Sequence, residues 1–222
     1  MRNRQRAARH LPIVLAGGLG ASLASVFLFG KLADEVLEHE SMTFDTRVVE
    51  EAREMRSPAL DRAMAAATAT GEPWALGAAG LVVALRWHAE GRQADIATAA
   101  LALLGGSVVN QVLKLLFHRD RPALQLRRAH ATGYSFPSGH AMTTLATYGT
   151  LAYLASRRGG LTGHPAARLL WIPALALCTL VGASRVYLEV HYPTDVLGGW
   201  AAATVWITTC GLARTAMEPE ES

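Results

Sequence analysis

Three short stretches of the 222-residue chain carry side chains whose types and spacing suit phosphate chemistry. Lys114 and Arg121 lie in the first stretch, and Arg185 lies in the third. An arginine can grip two phosphate oxygens at once, whereas a lysine acts as a point charge. These three cations therefore predict a binding site for a phosphoryl group.

The second stretch reads Pro137-Ser138-Gly139-His140 and stands where a helix is predicted to begin. Free backbone N–H groups and the positive end of the helix dipole favour an anion at such a place. Gly139 has no side chain, so the backbone can approach a phosphate closely. We expect Ser138 and Gly139 to bind the phosphoryl group and to stabilise the charge that develops on its oxygens.

Two histidines are candidates for the chemical step. His191 is followed four residues later by Asp195, whose carboxylate can orient the imidazole ring and leave its other nitrogen as a nucleophile. His140 can then protonate the leaving oxygen and later activate water. Because the cations already supply the electrostatic stabilisation, we expect no metal and no other cofactor.

Simpler interpretations exist for several of these residues. A zinc site is one alternative, although the spacings fit no familiar zinc pattern. It would use four histidines: His118, His130, His140 and His191. Lys114 could be a snorkelling residue at the end of a membrane helix. Ser184, next to Arg185, either touches phosphate or satisfies a backbone carbonyl.

The three stretches must be positioned by long apolar blocks. The chain is 51% hydrophobic and only 18% charged, which indicates lipid as the solvent. The net charge of +3 is a weak argument for nucleic acid, since no basic-aromatic platform or zinc-finger spacing accompanies it. We therefore expect a bilayer protein that does not bind nucleic acid.

Six apolar segments predict transmembrane helices, at 11–30, 74–85, 96–117, 139–155, 169–183 and 193–212. The second is shorter than the roughly 20 residues that a span requires. The first follows a basic N-terminus, and a secretory signal peptide is the alternative, although the block is long for one. We expect a single all-α domain over 1–222, built as a six-transmembrane helical bundle.

Arginines set the orientation of this bundle. Ten of them fall on one side of the six spans: Arg2, Arg4, Arg6, Arg9, Arg86, Arg92, Arg157, Arg158, Arg168 and Arg214. By the positive-inside rule that side is cytoplasmic. The three stretches then meet at the extracytoplasmic face. The loop over 118–136 lies at that face and is also basic. Because basic residues favour the cytoplasmic side, their presence outside predicts an anionic ligand.

The first outer segment, 31–73, is rich in acidic residues. Its apolar positions Phe44, Val48 and Met55 are spaced roughly as one helical face. We favour a solvated amphipathic helix here, with an interfacial helix near the substrate as the alternative.

Together the stretches resemble the three motifs of the type 2 phosphatidic acid phosphatase family. The family pattern K-x6-RP, PSGH and SR-x5-H-x3-D is met without a departure, and the resemblance covers about 74–212. It implies a helical bundle, with six spans in membrane members, and a phosphohistidine intermediate on His191. It also implies that Asp195 orients His191 and that His140 is the general acid. Phosphate would be bound by Lys114, Arg121, Ser138, Gly139 and Arg185.

The resemblance implies a metal-independent phosphatase, here one whose substrate is a phosphorylated lipid. We expect a bacterial plasma-membrane enzyme with cytoplasmic termini. Undecaprenyl pyrophosphate is a fair guess for the substrate, with phosphatidic acid and phosphatidylglycerophosphate as close rivals. A non-catalytic protein that binds or translocates phospholipid is the alternative, but it has no need of His191 with Asp195. A vanadate haloperoxidase would be soluble. The sequence predicts no oligomeric state.

Overall fold

The computed structural model describes residues 2–123, 127–158 and 168–216. These residues form eight α-helices: α1 (Arg2–Leu37), α2 (Met42–Glu54), α3 (Pro58–Ala69), α4 (Pro73–Ala89), α5 (Gln93–Phe117), α6 (Gly139–Arg158), α7 (Arg168–Tyr187) and α8 (Pro193–Ala216). They contain no β-strand, so the predicted all-α class is confirmed for the part that the structure describes.

Four helical segments are long and apolar enough to cross a bilayer: Ala16–Leu37, Gln93–Phe117, Leu169–Tyr187 and Pro193–Ala216. They correspond to the predicted spans at 11–30, 96–117, 169–183 and 193–212. The helices at the other two predicted spans, α4 and α6, do not meet that standard. The described residues thus account for four of the six predicted spans by length and composition.

Helix α6 lies at the centre of the bundle, in contact with α5, α7 and α8. Met142 and Leu145 of α6 pack there with Cys178 of α7 and Ala203 of α8. The same helix also buries three threonines: Thr144, Thr147 and Thr150. Because neighbouring helices enclose α6, its side chains need not be as apolar as those of a lipid-facing span, which explains its modest hydropathy.

An aromatic cluster attaches α1 to the segment that leads into α6. Phe136 lies 5.5 Å from Phe29 of α1 and 5.1 Å from Phe117 of α5, measured between ring centroids. Leu32 and Val36 of α1 belong to the same cluster. Helix α1 is therefore a packed element of the bundle, which supports the interpretation of the first apolar block as a span.

The acidic segment at 31–73 differs from the single solvated helix that we favoured. It forms the end of α1, then α2 and α3. The apolar side chains of Phe44 and Met55 are exposed, whereas the buried residues of α2 are Asp45, Val49 and Ala52. The face of α2 that packs on the bundle therefore carries a carboxylate, which the helical spacing of the apolar residues did not reveal.

The backbones of α8 and α6 approach each other closely at Gly199. A Cβ atom at this position would lie 2.8 Å from the carbonyl oxygen of Ser138 and 3.2 Å from the backbone nitrogen of Met142. Both of those atoms are backbone and have little freedom to move aside. The contact between α8 and the first turn of α6 therefore requires a glycine.

We expect Gly199→Ala to destabilise the protein by about 1–3 kcal/mol, because the added methyl group must push the two helices apart. Gly20→Ala in α1 is the control, since a Cβ atom there meets nothing within 4 Å. Thermal unfolding of both variants in one detergent measures the difference. Equal melting temperatures for the two variants would contradict the close approach.

Candidate active site

One cavity of about 980 Å³ collects most of the predicted site residues. Six of the eight line it: Lys114, Arg121, Gly139, His140, Arg185 and His191. The other two, Ser138 and Asp195, are fully buried. They adjoin each other, because the backbone N–H of Ser138 donates to the carbonyl oxygen of Asp195 at 2.9 Å. The three sequence motifs therefore converge at one end of the bundle.

Helix ends position these residues. Lys114 lies in the last turn of α5, which ends at the left-handed residue His118. Arg185 lies in the last turn of α7, and Asp195 lies in the first turn of α8. His140 is the second residue of α6. The ends of α5 and α7 and the beginnings of α6 and α8 thus lie at the same level. Side chains from these four helix ends line one cavity.

His191 is held as a neutral ring with a defined tautomer. The guanidinium of Arg121 lies 2.9 Å from Nε2 and can only donate, so Nε2 accepts. The hydrogen of the ring is then on Nδ1, which lies 3.2 Å from the Asp195 carboxylate. Burial lowers the pKa of His191 below its ordinary value of 6.5, so the imidazole is neutral at pH 7. A lone pair on Nε2 therefore faces the cations.

The Asp195 carboxylate has several hydrogen-bond donors besides His191. The hydroxyl of Ser135 and the backbone N–H of Tyr192, at 2.8 Å, donate to Oδ2. Arg119 donates to Oδ1 at 2.7 Å. Such donors stabilise the charged form of a buried carboxylate, and they fix the oxygen that orients the histidine.

Arg119 joins Asp195 to a second buried acid, Asp45 of α2. The guanidinium donates to Asp45 at 2.5 Å, and Thr194 donates to the same carboxylate through its backbone N–H at 3.1 Å and its hydroxyl at 2.7 Å. Burial acts to lower the pKa of Arg119, but Asp195 and Asp45 outweigh it and leave that pKa raised. From the sequence, Arg119 and Asp45 were identifiable only as members of a basic loop and an acidic segment.

A buried glutamate that the sequence analysis left without a role also ties α2 to the site. Glu189 is fully buried in the turn between α7 and α8, where its backbone is left-handed with φ of 54°. Arg53 donates to its carboxylate at 2.7 Å, and Arg56 forms a second ion pair with it. These ion pairs thus hold the turn before His191 against the end of α2.

The three predicted phosphate ligands are cations at the cavity wall. Lys114 is buried and donates to the backbone carbonyls of Tyr134 and Ser135, so it does not snorkel to solvent. Arg185 donates to Thr68 at 2.6 Å. Its Nε atom is buried and has no hydrogen-bond partner in the described part of the chain. A buried donor without a partner is costly, and a phosphate oxygen would satisfy it.

His140 is backed by the turn between α3 and α4. Its Nε2 atom lies 3.2 Å from a carboxylate oxygen of Glu72, yet this nitrogen has no aligned hydrogen-bond partner among the described residues. It is therefore available to a leaving oxygen. Sequence analysis gave Glu72 no role, since its link to His140 crosses from one motif to a turn far upstream.

Two alternatives from the sequence can be judged on geometry. The hydroxyl of Ser184 donates to the carbonyl of Val181 at 2.6 Å, so this side chain satisfies the backbone. For the zinc alternative, the described residues contain no group of three histidine, cysteine or acidic side chains placed to hold a metal ion.

Comparison with known proteins assigns the family. The model of the PAP2 superfamily matches residues 95–216, which is more than half of the chain. The chain belongs to the PAP2 superfamily. The resemblance seen in the three motifs is thereby confirmed.

Individual PAP2 relatives match about half of the chain. Phosphatidylglycerophosphatase B of Bacillus subtilis is 41% identical over 95 residues, which cover 42% of this chain and 45% of that protein. The putative undecaprenyl-diphosphatase YbjG of Escherichia coli is 32% identical over 130 residues, covering 56% and 59%. This chain therefore spans about half the length of the curated relatives that it matches.

A solved PAP2 structure resembles almost the whole fold. The crystal structure of the transmembrane PAP2-type phosphatidylglycerolphosphate phosphatase from Bacillus subtilis matches with a TM-score of 0.79 and 26% identity. The match covers 89% of this chain and 97% of that one. The PAP2 fold thus extends well beyond the 95–216 region, into the helices that precede it.

Those preceding helices hold the PAP2 motifs in place. Asp45 contacts Arg119 of the first motif, Glu72 contacts His140 of the second, and Thr68 and Arg53 contact Arg185 and Glu189 of the third. Opposite charges, one before residue 74 and one inside a motif, are the sequence signal for three of these contacts, and the contact of Thr68 with Arg185 has none. That signal does not tell which acid pairs with which base.

We expect Arg119→Gln to destabilise the protein by about 3–5 kcal/mol, because it leaves the Asp45 and Asp195 carboxylates buried without their cation. The control is Arg47→Gln, which removes an exposed pair with Glu51 at 2.9 Å and should cost at most about 1 kcal/mol. Thermal unfolding in the same detergent compares them. A loss for Arg119→Gln no larger than for the control would show that the buried pair does not form.

Proposed function

We propose that this chain is an integral membrane phosphatase that removes phosphate from a lipid through a phosphohistidine intermediate on His191. The single observation that carries the proposal is the neutral His191 ring. Its Nδ1 hydrogen points to Asp195, and its Nε2 atom faces the cavity beside Arg121. A neutral, oriented imidazole among cations is suited to attack phosphorus.

The reaction follows from this arrangement in two displacements. The Nε2 atom of His191 attacks phosphorus, an N–P bond forms, and the P–O bond to the lipid breaks as His140 gives a proton to the leaving oxygen. His140 then accepts a proton from water, whose oxygen attacks the phosphohistidine and releases phosphate. Asp195 stabilises the imidazolium that forms in the first displacement and that returns to neutral imidazole when the N–P bond breaks in the second.

The cations act on the phosphoryl oxygens. A phosphoryl group at Nε2 takes the place of the contact with Arg121, whose guanidinium then donates to the equatorial oxygens. The unpaired Nε atom of Arg185 supplies a further donor, and Lys114 adds a point charge. The first turn of α6, with Ser138 and Gly139, contributes backbone N–H groups. Preorganised donors of this kind stabilise the transition state without a metal.

The wall of the cavity supports a lipid as the substrate. On the side of α4 and α5 it is lined by leucines: Leu76, Leu103, Leu104 and Leu115. Leu104 and Leu115 are 65% and 62% exposed, so this side opens towards the surface that lipid would cover. A second, apolar cavity of about 190 Å³ shares Gly77, Leu103 and Leu104 with the first. A lipid tail can follow this path while its phosphate reaches His191.

The membrane arrangement belongs to the same proposal. Six spans result if α4 and α6 cross the bilayer with the four apolar helices, and the enclosed position of α6 explains why its composition is less apolar. One domain over 1–222 then has cytoplasmic termini in a bacterial plasma membrane and its site on the extracytoplasmic face. Arg92 and Arg214, which pair with Asp95, lie at the opposite end from the site. Arg158, Arg168 and the N-terminal arginines lie outside the described side chains.

Candidate substrates are undecaprenyl pyrophosphate, phosphatidic acid and phosphatidylglycerophosphate. We expect His191→Ala to lower phosphate release from whichever lipid the wild type hydrolyses by about 10⁴-fold or more, while the protein remains folded. His88→Ala, an exposed histidine at the end of α4, is the control and should keep wild-type activity. The assay measures inorganic phosphate in detergent with chelator.

Substantial hydrolysis by the folded His191→Ala protein would exclude His191 as the nucleophile. If the wild-type protein binds these lipids but releases no phosphate from any of them, the chain is instead a lipid-binding or lipid-translocating protein.

We also expect activity to persist in excess chelator and to be inhibited by vanadate. The cations replace a metal ion, and vanadate adopts the five-coordinate geometry of the phosphoryl transition state. A titration of each reagent against initial rate measures both effects. Loss of activity in chelator with recovery on adding zinc or magnesium would make the metal-free mechanism untenable.

A further inference from the structure

The cavity that is built for a phosphate contains a carboxylate. Among the described residues that line it, Lys114, Arg121 and Arg185 are basic, and Glu72 is the sole acid. An acid in a phosphate site weakens anion binding by direct repulsion. Its presence therefore affects which anions the cavity can accept.

The backbone holds Glu72 in this position. Pro73 begins α4 immediately after it. A Cβ atom at Gly71, the preceding residue, would lie 2.8 Å from both Thr144 and Val181 and 3.2 Å from the His140 ring. The turn is thus packed closely against α6 and α7. Glu72 has no other ion pair than the one with His140 in the described part of the chain.

The carboxylate lies on the side of the leaving group. In an in-line displacement the leaving oxygen stands opposite the attacking atom of His191, and His140 donates to that oxygen. Since Glu72 is 3.2 Å from the Nε2 atom of His140, it lies within a few ångströms of whatever group is bonded to the leaving oxygen.

We propose that Glu72 makes this enzyme selective for phosphate monoesters of a neutral lipid alcohol and selects against lipid diphosphates. The inference rests on the proposed phosphatase function. A monoester places an uncharged carbon chain beside Glu72. A diphosphate places a second phosphate there, and two like charges at such a distance repel each other.

The chemistry of the two leaving groups agrees with this selection. When a monoester is cleaved, the P–O bond breaks towards an alcohol oxygen, which is a poor leaving group until His140 protonates it. When a diphosphate is cleaved, the lipid phosphate leaves readily without that proton. A site that keeps an acid beside its general acid histidine is therefore suited to the substrate that depends on proton donation.

The test compares kcat/KM for phosphatidic acid and for undecaprenyl diphosphate in the same mixed micelles. We expect the wild type to prefer phosphatidic acid. Glu72→Gln should raise kcat/KM for the diphosphate by about tenfold or more, because the repulsion is removed. A damaged site would lower both values, so an increase on one substrate is not a consequence of damage.

Two further variants complete the design. Glu72→Asp keeps the negative charge and should keep the wild-type preference. Glu54→Gln removes an exposed carboxylate of α2 and should change neither value. If Glu72→Gln does not fold, the wild-type preference and Glu72→Asp still decide the question.

The selection is overturned if the wild type prefers the diphosphate, if Glu72→Asp loses the preference while it still turns over phosphatidic acid, or if a folded Glu72→Gln shows no increase on the diphosphate. If the wild type hydrolyses both lipids through His191 and any of these results is found, the proposed phosphatase function stands and only the proposed selectivity is wrong. If the wild type releases phosphate from neither lipid, both the proposed phosphatase function and the proposed selectivity are contradicted.

Discussion

A buried carboxylate can stay ionised only when donors surround it, and the site depends on how Asp195 meets that requirement. Its donors come from three directions: Arg119 and Ser135 from the segment between α5 and α6, the backbone of Tyr192, and His191. The backbone of Asp195 in turn receives the N–H of Ser138. Through its side chain and its backbone carbonyl, this one residue therefore fixes the histidine ring and the start of both α6 and α8.

Helices that contain none of the three PAP2 motifs stabilise this arrangement. Asp45 of α2 balances the charge of Arg119, and the Arg53–Glu189 pair holds the turn before His191. The turn between α3 and α4 supports His140, and Thr68 supports Arg185. Motif residues line the cavity, while the helices around them determine the angles at which they do so. The wide structural match to a PAP2 phosphatase agrees with this division.

The sequence predicted the all-α class and the meeting of the motif residues, because each motif combines residues a few positions apart at a helix end. It did not predict the contacts between Asp45 and Arg119, 74 residues apart, or between Asp45 and Thr194, 149 residues apart. Local spacing carries no information about such partners. Hydropathy also did not show that α6 buries three threonines inside the bundle.

The contact between α2 and α8 also bears on how the protein is made. Asp45 lies in an early part of the chain, and Asp195 and Thr194 lie in the last helix. The Asp45 carboxylate can meet Arg119 earlier, but it gains the two hydrogen bonds from Thr194 only after α8 has been translated. Until α8 has packed against α2, the residues that orient His191 therefore cannot be in place, so the order of synthesis makes this arrangement a late event in folding.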